Sequence, residues 1–363
     1  MKNKCSLTVL CQIIGMFLFI VSCSEKGPYQ PPKFPETDSR GFEVIAEDLA
    51  LGNTTSLFAY KNALIVCSYV PNGAWLRAYD ANSGTLIATA IQQGRGPGEG
   101  LSLHAPYLDK EQGLLSFYDF YLQKILVVHL DELLTNVEGS SIELKPYIPM
   151  DRASAVIPAA GGGFLLCNYF TSYDIEAEEG LSRFMYFDED ENLVSEYSVW
   201  PEIGEVALMS LYAMPTMGIS GDGKHWVIGT RDGAILEAFS FDRDKIQQDW
   251  IRYYYPTDME EHLNDEGNSE SVLGFGRICL TDDYIYSTVD FNHTVKQIVS
   301  KEFKNQPEAL FSEVAVFSRK GKPVRLIKCG VRINEIAVDR GILYAIIENA
   351  KGEDCLARMK LDK

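Results

Sequence analysis

The sequence predicts an all-β fold: a six-bladed β-propeller of mostly four-stranded antiparallel blades, closed by an amino-terminal strand that joins the last blade. Three observations carry that expectation. A polar or glycine-bearing turn leading into a short branched or aromatic run recurs as NALIVCSY (62–69), QGLLSFYD (112–119), GGFLLCNY (162–169), GKHWVIGT (223–230), DDYIYSTV (282–289) and RGILYAII (340–347). From Leu64 to Leu114, Gly163, His225, Asp283 and Gly341 the steps are 50, 49, 62, 58 and 58 residues, a period of propellers or solenoids. The flanks choose the propeller: strand-like runs group in fours, and the final group is one run short while a lone run precedes the first.

Taken in order, the chain opens with Lys2 and Lys4 before SLTVLCQIIGMFLFIVS (6–22), a positive start and an apolar stretch typical of an export signal. It runs into IVSC (20–23), which resembles the lipobox of bacterial lipoprotein precursors. The resemblance implies cleavage before Cys23, a diacylglycerol on its sulfur and an acylated amino terminus. Three acyl chains exceed what stable membrane anchoring needs. An uncleaved anchor or a conventional secretory signal is the alternative. SEKGPYQPPKFPETDS (24–39) is polar and holds four prolines, each fixing φ and withholding a donor, which makes an extended tether. The expected division is therefore a signal over 1–22, a lipidated tether over 23–40 and a propeller over 41–363. Ser24, standing where sorting rules of enterobacteria read Asp as a retention mark, points to the outer membrane and leaves its face open.

GFEVIAEDLA (41–50) is the lone run expected to complete the sixth blade. SLFAY (56–60), LIVCSY (64–69), AWLRAY (74–79) and TLIATAI (85–91) are separated by hairpin-type turns and form the first. PTMGIS (215–220), HWVIGT (225–230), AILEAFSF (234–241) and DWIRYYY (249–255) repeat that plan in the fourth. Radial four-stranded meanders leave only short, protected edges. Residues 200–212 read as one or two helical turns or an irregular connection. Residues 290–310 carry Val295, Ile298, Val299 and Phe303 at partly helical spacing, and the acidic stretch 256–270 breaks the strand pattern. VRINEIAVD, GILYAIIEN and CLARMKLDK supply the three runs of the last blade.

Between the first two blades lies GRGPGEG (94–100). A phosphate loop needs a following helix and the Walker lysine and hydroxyl, and this stretch has neither; nor does it fit the dinucleotide fingerprint. Gly94, Gly96 and Gly98 permit close approaches, Pro97 fixes φ, and Glu99 can accept backbone amides. The expected role is a rigid turn from one blade to the next.

Composition narrows the function. Removing residues 1–22 takes the formal charge from −18 to −20, which repels nucleic acid phosphates, so nucleic acid is excluded as a partner. Cys67, Cys167, Cys279, Cys329 and Cys355 are widely spaced and read as small buried hydrophobes, with one bridge possible in an oxidising compartment. His104, His129, His225, His262 and His293 show no ligand spacing. Acidic runs such as Glu176, Glu178 and Glu179, or Asp258, Glu260 and Glu261, read as solvated surface. No catalytic, cofactor-binding or metal-ligating residue is singled out, and no EF-hand loop supports structural calcium. Tyr253, Tyr254 and Tyr255, with Trp75, Trp200, Trp226 and Trp250, fit blade packing first and a ligand platform second.

IQQGRGPGEG (91–100) resembles the GxGPGE motif of TolB-like six-bladed propeller lipoproteins of Bacteroidota, together with the lipobox, the proline-rich leader and the six-unit body. Gly100 departs from the pattern, since an aromatic residue often follows the glutamate there. The resemblance implies an exported, lipid-anchored propeller. The function expected is a cell-envelope module, non-catalytic, that binds or scaffolds a protein, peptide or glycan. The alternative is an envelope hydrolase, lactonase-like, or a lyase, whose residues meet across blades in the channel, with or without a metal. A third class is structural support within a polysaccharide-uptake assembly.

Overall fold

The computed structural model describes residues 29–47, 49–135, 142–145, 153–158, 163–168, 182–190, 192–203, 206–207, 216–242, 245–257, 269–300, 303 and 310–362. Cys23, Glu176, Glu178, Glu179, Asp258, Glu260, Glu261 and His262 lie outside the described residues.

Two short strands come first, β1 (Glu36–Ser39) and β2 (Glu43–Ala46). Blade one is β3 (Asn53–Tyr60), β4 (Ala63–Tyr69), β5 (Ala74–Asp80) and β6 (Leu86–Gln92). Blade two is β7 (Leu103–Asp109), β8 (Leu114–Asp119), β9 (Lys124–His129) and β10 (Ile142–Lys145), with helix α1 (Leu130–Leu134) before its last strand. Blade three is β11 (Ala153–Pro158), β12 (Phe164–Asn168), β13 (Phe184–Phe187) and β14 (Leu193–Tyr197). A small hairpin, β15 (Glu202–Ile203) with β16 (Val206–Ala207), stands where helical turns are one sequence reading. Blade four is β17 (Thr216–Ile219), β18 (His225–Gly229), β19 (Ile235–Asp242) and β20 (Lys245–Tyr253). Blade five contains β21 (Phe275–Leu280), β22 (Tyr284–Val289), β23 (Glu313–Ser318) and β24 (Pro323–Lys328), and helix α2 (Val295–Val299) lies between β22 and β23. Blade six contains β25 (Ile333–Asp339), β26 (Ile342–Glu348) and β27 (Asp354–Lys360).

The ring closes as the sequence predicts: β2 pairs antiparallel with β27 and becomes the outer strand of blade six. A second fastening is new. β1, inside the stretch expected as tether, pairs parallel with β24 and makes blade five five-stranded. Upstream, Gln30 donates to the Tyr253 carbonyl at 2.9 Å, and Phe34 packs edge-on against Phe317 with centroids 5.5 Å apart. Residues 29–46 therefore strap across blades four, five and six.

Each second and third strand reads as a continuous apolar run because both faces of its sheet are buried between neighbouring blades. Ile65 and Cys67 face the cluster shared with blade two, while Leu64 and Val66 face the cluster shared with blade six. Six such clusters separate the six pairs of neighbouring blades, so the core is a ring of interfaces. The turns share a device. Asp80, Asp109, Asp119, Asp188, Asp222, Asp290 and Asn349 each accept backbone amides two to four residues ahead. This Asx geometry mimics a backbone turn, and it gives part of the acidic excess a structural job.

Candidate functional site

The inner strands β3, β7, β17, β21 and β25 enclose an axial cavity of about 1050 Å³. Small-molecule sites usually span roughly 300–1,000 Å³, so this one has room for a chain segment. Each inner strand pairs on one side only, which leaves its other edge of N–H and C=O groups toward the axis. The inner strands are also irregular. Register shifts fall at Thr54/Ser56 in β3, His104/Tyr107 in β7, Ala153/Ala155 in β11, Phe275/Ile278 in β21 and Ile333/Glu335 in β25. Bulges re-aim side chains near functional sites. Two of them, in β21 and β25, hold Arg277 and Glu335, which line the channel.

The mouth at the ends of the inner hairpins is built from opposite charges. Lys110 of blade two reaches Asp339 of blade six at 3.3 Å, and Asp339 also holds Arg340 at 2.7 Å. Tyr107 donates to the Gly221 carbonyl at 3.2 Å, linking blades two and four across the opening. Asp222 lies 3.6 Å from His225. Burial alone would raise the Asp222 carboxyl, but bonds from Ser220 and the Lys224 amide, with His225 nearby, hold it below its usual value. Burial lowers the Arg319 guanidinium, against the pull of Asp222, Asp282 and Asp249. Among the described residues no group of three or more His, Cys, Asp or Glu side chains is disposed to hold a metal ion.

Deeper in the wall lies the most unusual pair. Arg277 of β21 and Glu335 of β25 both line the cavity and stand 58 residues apart, one repeat step, at the same place in neighbouring blades. Counted back from the inner hairpin, Ser56 and Thr216 hold that place in blades one and four, and both also line the cavity. Arg277 sits in the β21 bulge, where Thr288 Oγ1 accepts its amide at 2.7 Å. Gly276 beside it is required, because a β-carbon there would strike Thr288 and meet Phe311 at 2.8 Å. Arg277 Nε lies 2.8 Å from Glu335 Oε1, yet its proton is directed to the Asn334 carbonyl at 3.1 Å. The two side chains touch without a directed hydrogen bond, and Oε1 is buried with no donor among the described residues. The Glu335 side chain is 6% exposed and the Arg277 side chain 46%. Burial pushes the Glu335 carboxyl up to about 8, with Arg277 opposing.

The glycine-rich turn lies away from this cavity, between β6 and β7. The Gly94 amide donates to the Gly100 carbonyl at 3.2 Å, the Gly100 amide to the Gln92 carbonyl at 3.0 Å, and Glu99 Oε2 accepts the Gly96 amide at 2.7 Å. A β-carbon at Gly94 would collide with the Glu99 carboxylate, and Gly98 has φ near 75°. Trp75 Nε1 caps the Gly100 carbonyl at 3.0 Å. The other predicted residues scatter. His225 opens β18, His129 ends β9, and His293 bonds Asp290 at 2.9 Å within a turn. Tyr254 is buried and donates to the Gly321 carbonyl at 2.8 Å, Tyr253 and Tyr255 pack against blade cores, and Trp226 is fully buried. The tyrosines and tryptophans are packing residues. Cys67, Cys167, Cys329 and Cys355 are buried and Cys279 is partly buried. Sequence reasoning missed Arg277 and Glu335, whose one signal is a lone charge at the same point of consecutive repeats.

Solved structures share the fold. An exported protein from Bacteroides fragilis superposes with a TM-score of 0.56 at 11% identity, covering 90% of this chain and 99% of its own. A DUF4221 family member from Bacteroides vulgatus gives 0.53 at 11% identity, covering 89% and 100%. No curated protein sequence matches the chain. The family model described as TolB-like 6-blade propeller-like matches residues 58–341.

Proposed function

The chain belongs to the TolB-like six-bladed propeller family, and on that premise we propose that it is a cell-envelope lipoprotein whose channel mouth binds a segment of a protein, peptide or glycan. The observation that carries this reading is the cavity itself: about 1050 Å³, edged by inner strands that, among the described residues, pair on one side only, and rimmed by charges in opposed pairs. Opposed pairs suit recognition of a mixed polar segment, since each can be exchanged for a ligand group without stranding a buried charge. The open strand edges offer backbone bonds in the manner of strand addition. In this reading Cys23 carries the lipid, residues from Cys23 to the strap form the tether, and the outer membrane is the destination. Gly94, Gly96, Pro97, Gly98 and Glu99 serve as the clip that sets blade two against blade one.

A cross-blade enzyme is the second reading. It is favoured by Glu335 alone, a channel carboxyl whose proton is held to about 8, in the range of an acid–base group.

A photo-crosslinking residue placed at Tyr284, on the mouth, is expected to capture a discrete envelope component in intact cells. The same residue at Leu193, exposed on outer strand β14, is expected to capture none. Equal capture at both places would reject channel-mouth binding.

A further inference from the structure

We propose that Arg277 and Glu335 together form a subsite for a ligand carboxylate in the channel wall. The inference rests on the channel-binding reading and specifies what the channel recognises. Neither Nη of Arg277 donates a hydrogen bond among the described residues, while Nε is fixed on the Asn334 carbonyl. The guanidinium is therefore held at its base by the β21 bulge and offers its free fork to the cavity. A planar fork of this kind matches a carboxylate with two parallel bonds.

Glu335 supplies the second half. Its side chain is more than nine-tenths buried, its Oε1 lacks a donor, and it lines the same cavity. A buried polar atom left unpaired is costly, and it invites a ligand that completes its bonding. The titratable or charged groups facing it are Arg277 from β21 and Cys67 from β4. Burial holds a proton on Glu335 to about 8 and pushes the Cys67 thiol further up. At neutral pH the pair thus presents one positive charge and one O–H donor. That combination takes an anion with two oxygens. A cation would need Glu335 ionised and would meet Arg277 head-on. Elsewhere at the mouth Lys110, Arg340 and His225 already face acids of this chain, and Arg319 donates to the Thr281 carbonyl under the pull of Asp222, Asp282 and Asp249; Arg277 differs in that the acid it touches stays neutral.

The ligand carboxylate has two natural sources, acidic peptide side chains and uronate sugars. The test uses the full-length purified chain with hexaglutamate, hexaglutamine, hexalysine and an oligogalacturonate as probes, read by calorimetry from pH 6.5 to 9.5. Hexaglutamate or oligogalacturonate is expected to bind and hexaglutamine is not; whichever of the two acids binds tighter identifies the source. Arg277→Gln is expected to weaken the acidic probe roughly 10–100-fold, the loss of a charge-assisted pair. Wild-type affinity is expected to fall several-fold above pH 8, as Glu335 ionises and neutralises Arg277. Glu335→Gln, which keeps a neutral donor, is expected to remove that fall, its affinity at pH 9.5 matching its own at pH 6.5. Thermal unfolding of each variant confirms that it is folded.

The proposal is overturned if neither acidic probe binds, if hexaglutamine binds as well, or if Arg277→Gln changes nothing. Preference for hexalysine, abolished by Glu335→Gln, overturns it in favour of a cation site. Crosslinking at Tyr284 that persists in Arg277→Gln leaves channel binding standing and removes only the carboxylate assignment. Probe binding without any capture at the mouth in cells does the reverse.

Discussion

At the scale of single residues, Glu335 is the costliest choice in the channel, and its cost depends on pH. Its ordinary value of 4.5 applies in the unfolded chain, and burial raises it to about 8 in the native state. Between those values the unfolded chain has released a proton that the native state keeps, so the unfolded state binds fewer protons. Stability therefore falls as pH rises through that window. Glu335→Gln is expected to be neutral at pH 4, to stabilise the protein by ~1–3 kcal/mol at pH 8–9, and to flatten the slope between. Urea denaturation at several pH values checks it; an unchanged slope would show that another group governs this window. Such a residue escapes sequence reading because nothing local marks it: Arg277 and Glu335 become neighbours only when consecutive blades are set side by side. Glu99 was more legible, since glycines three and five residues before it are the signature of a carboxylate folding back on its own loop.

At the scale of elements, the blades were readable because strands buried on both faces must be apolar on both, as LIVCSY and ILYAII are. β1 was not. Its residues ETDS carry no apolar rhythm, and what holds them is parallel backbone pairing to β24 with Glu36 2.8 Å from Arg325. α1 was equally hidden, five residues being too few for a helical period to show. Blades three and four are joined by another unheralded contact: Arg183 forks onto Glu237 at 3.1 and 2.9 Å, Gln248 donates to the same carboxylate at 2.6 Å, and Trp200 covers the guanidinium at 4.8 Å. The strap divides naturally into two fastenings. A chain starting at residue 41 loses β1 and the contacts of Tyr29, Gln30 and Phe34, and is expected to lose ~1–3 kcal/mol while unfolding in one transition. A chain starting at residue 48 also loses β2, which uncovers the β27 edge. It is expected to unfold well below the first and to self-associate, because a bare strand edge recruits another. Comparison of melting temperature and sedimentation for the two chains tests this; identical behaviour would mean that β2 does not fasten the ring.

At the scale of the whole molecule, six core clusters between six blades make a rigid ring, and residues 29–46 run along its rim as they enter the sheets. The lipid reading belongs here. Cys23→Ser is expected to leave folding intact and to move the protein from the membrane to the soluble envelope fraction, with loss of incorporated labelled palmitate. Retention in the membrane with no label would replace lipidation by an uncleaved anchor. From the sequence, the number of blades and their closure were recoverable because repeat spacing is a one-dimensional quantity. The contents of the channel were not, because they depend on which way bulged inner strands aim their side chains.

The clasp has a consequence in time. β2 and β27 grip each other from far apart in the chain: Glu43 of β2 and its partner Arg358 of β27 are 315 residues from one another. β2 therefore has no sheet to join until β25, β26 and β27 have been made, and the ring cannot close around an unfinished propeller. The buckle therefore sets the order of assembly: earlier sheets can stack one on another, and the circle locks when its most distant pair of strands meets.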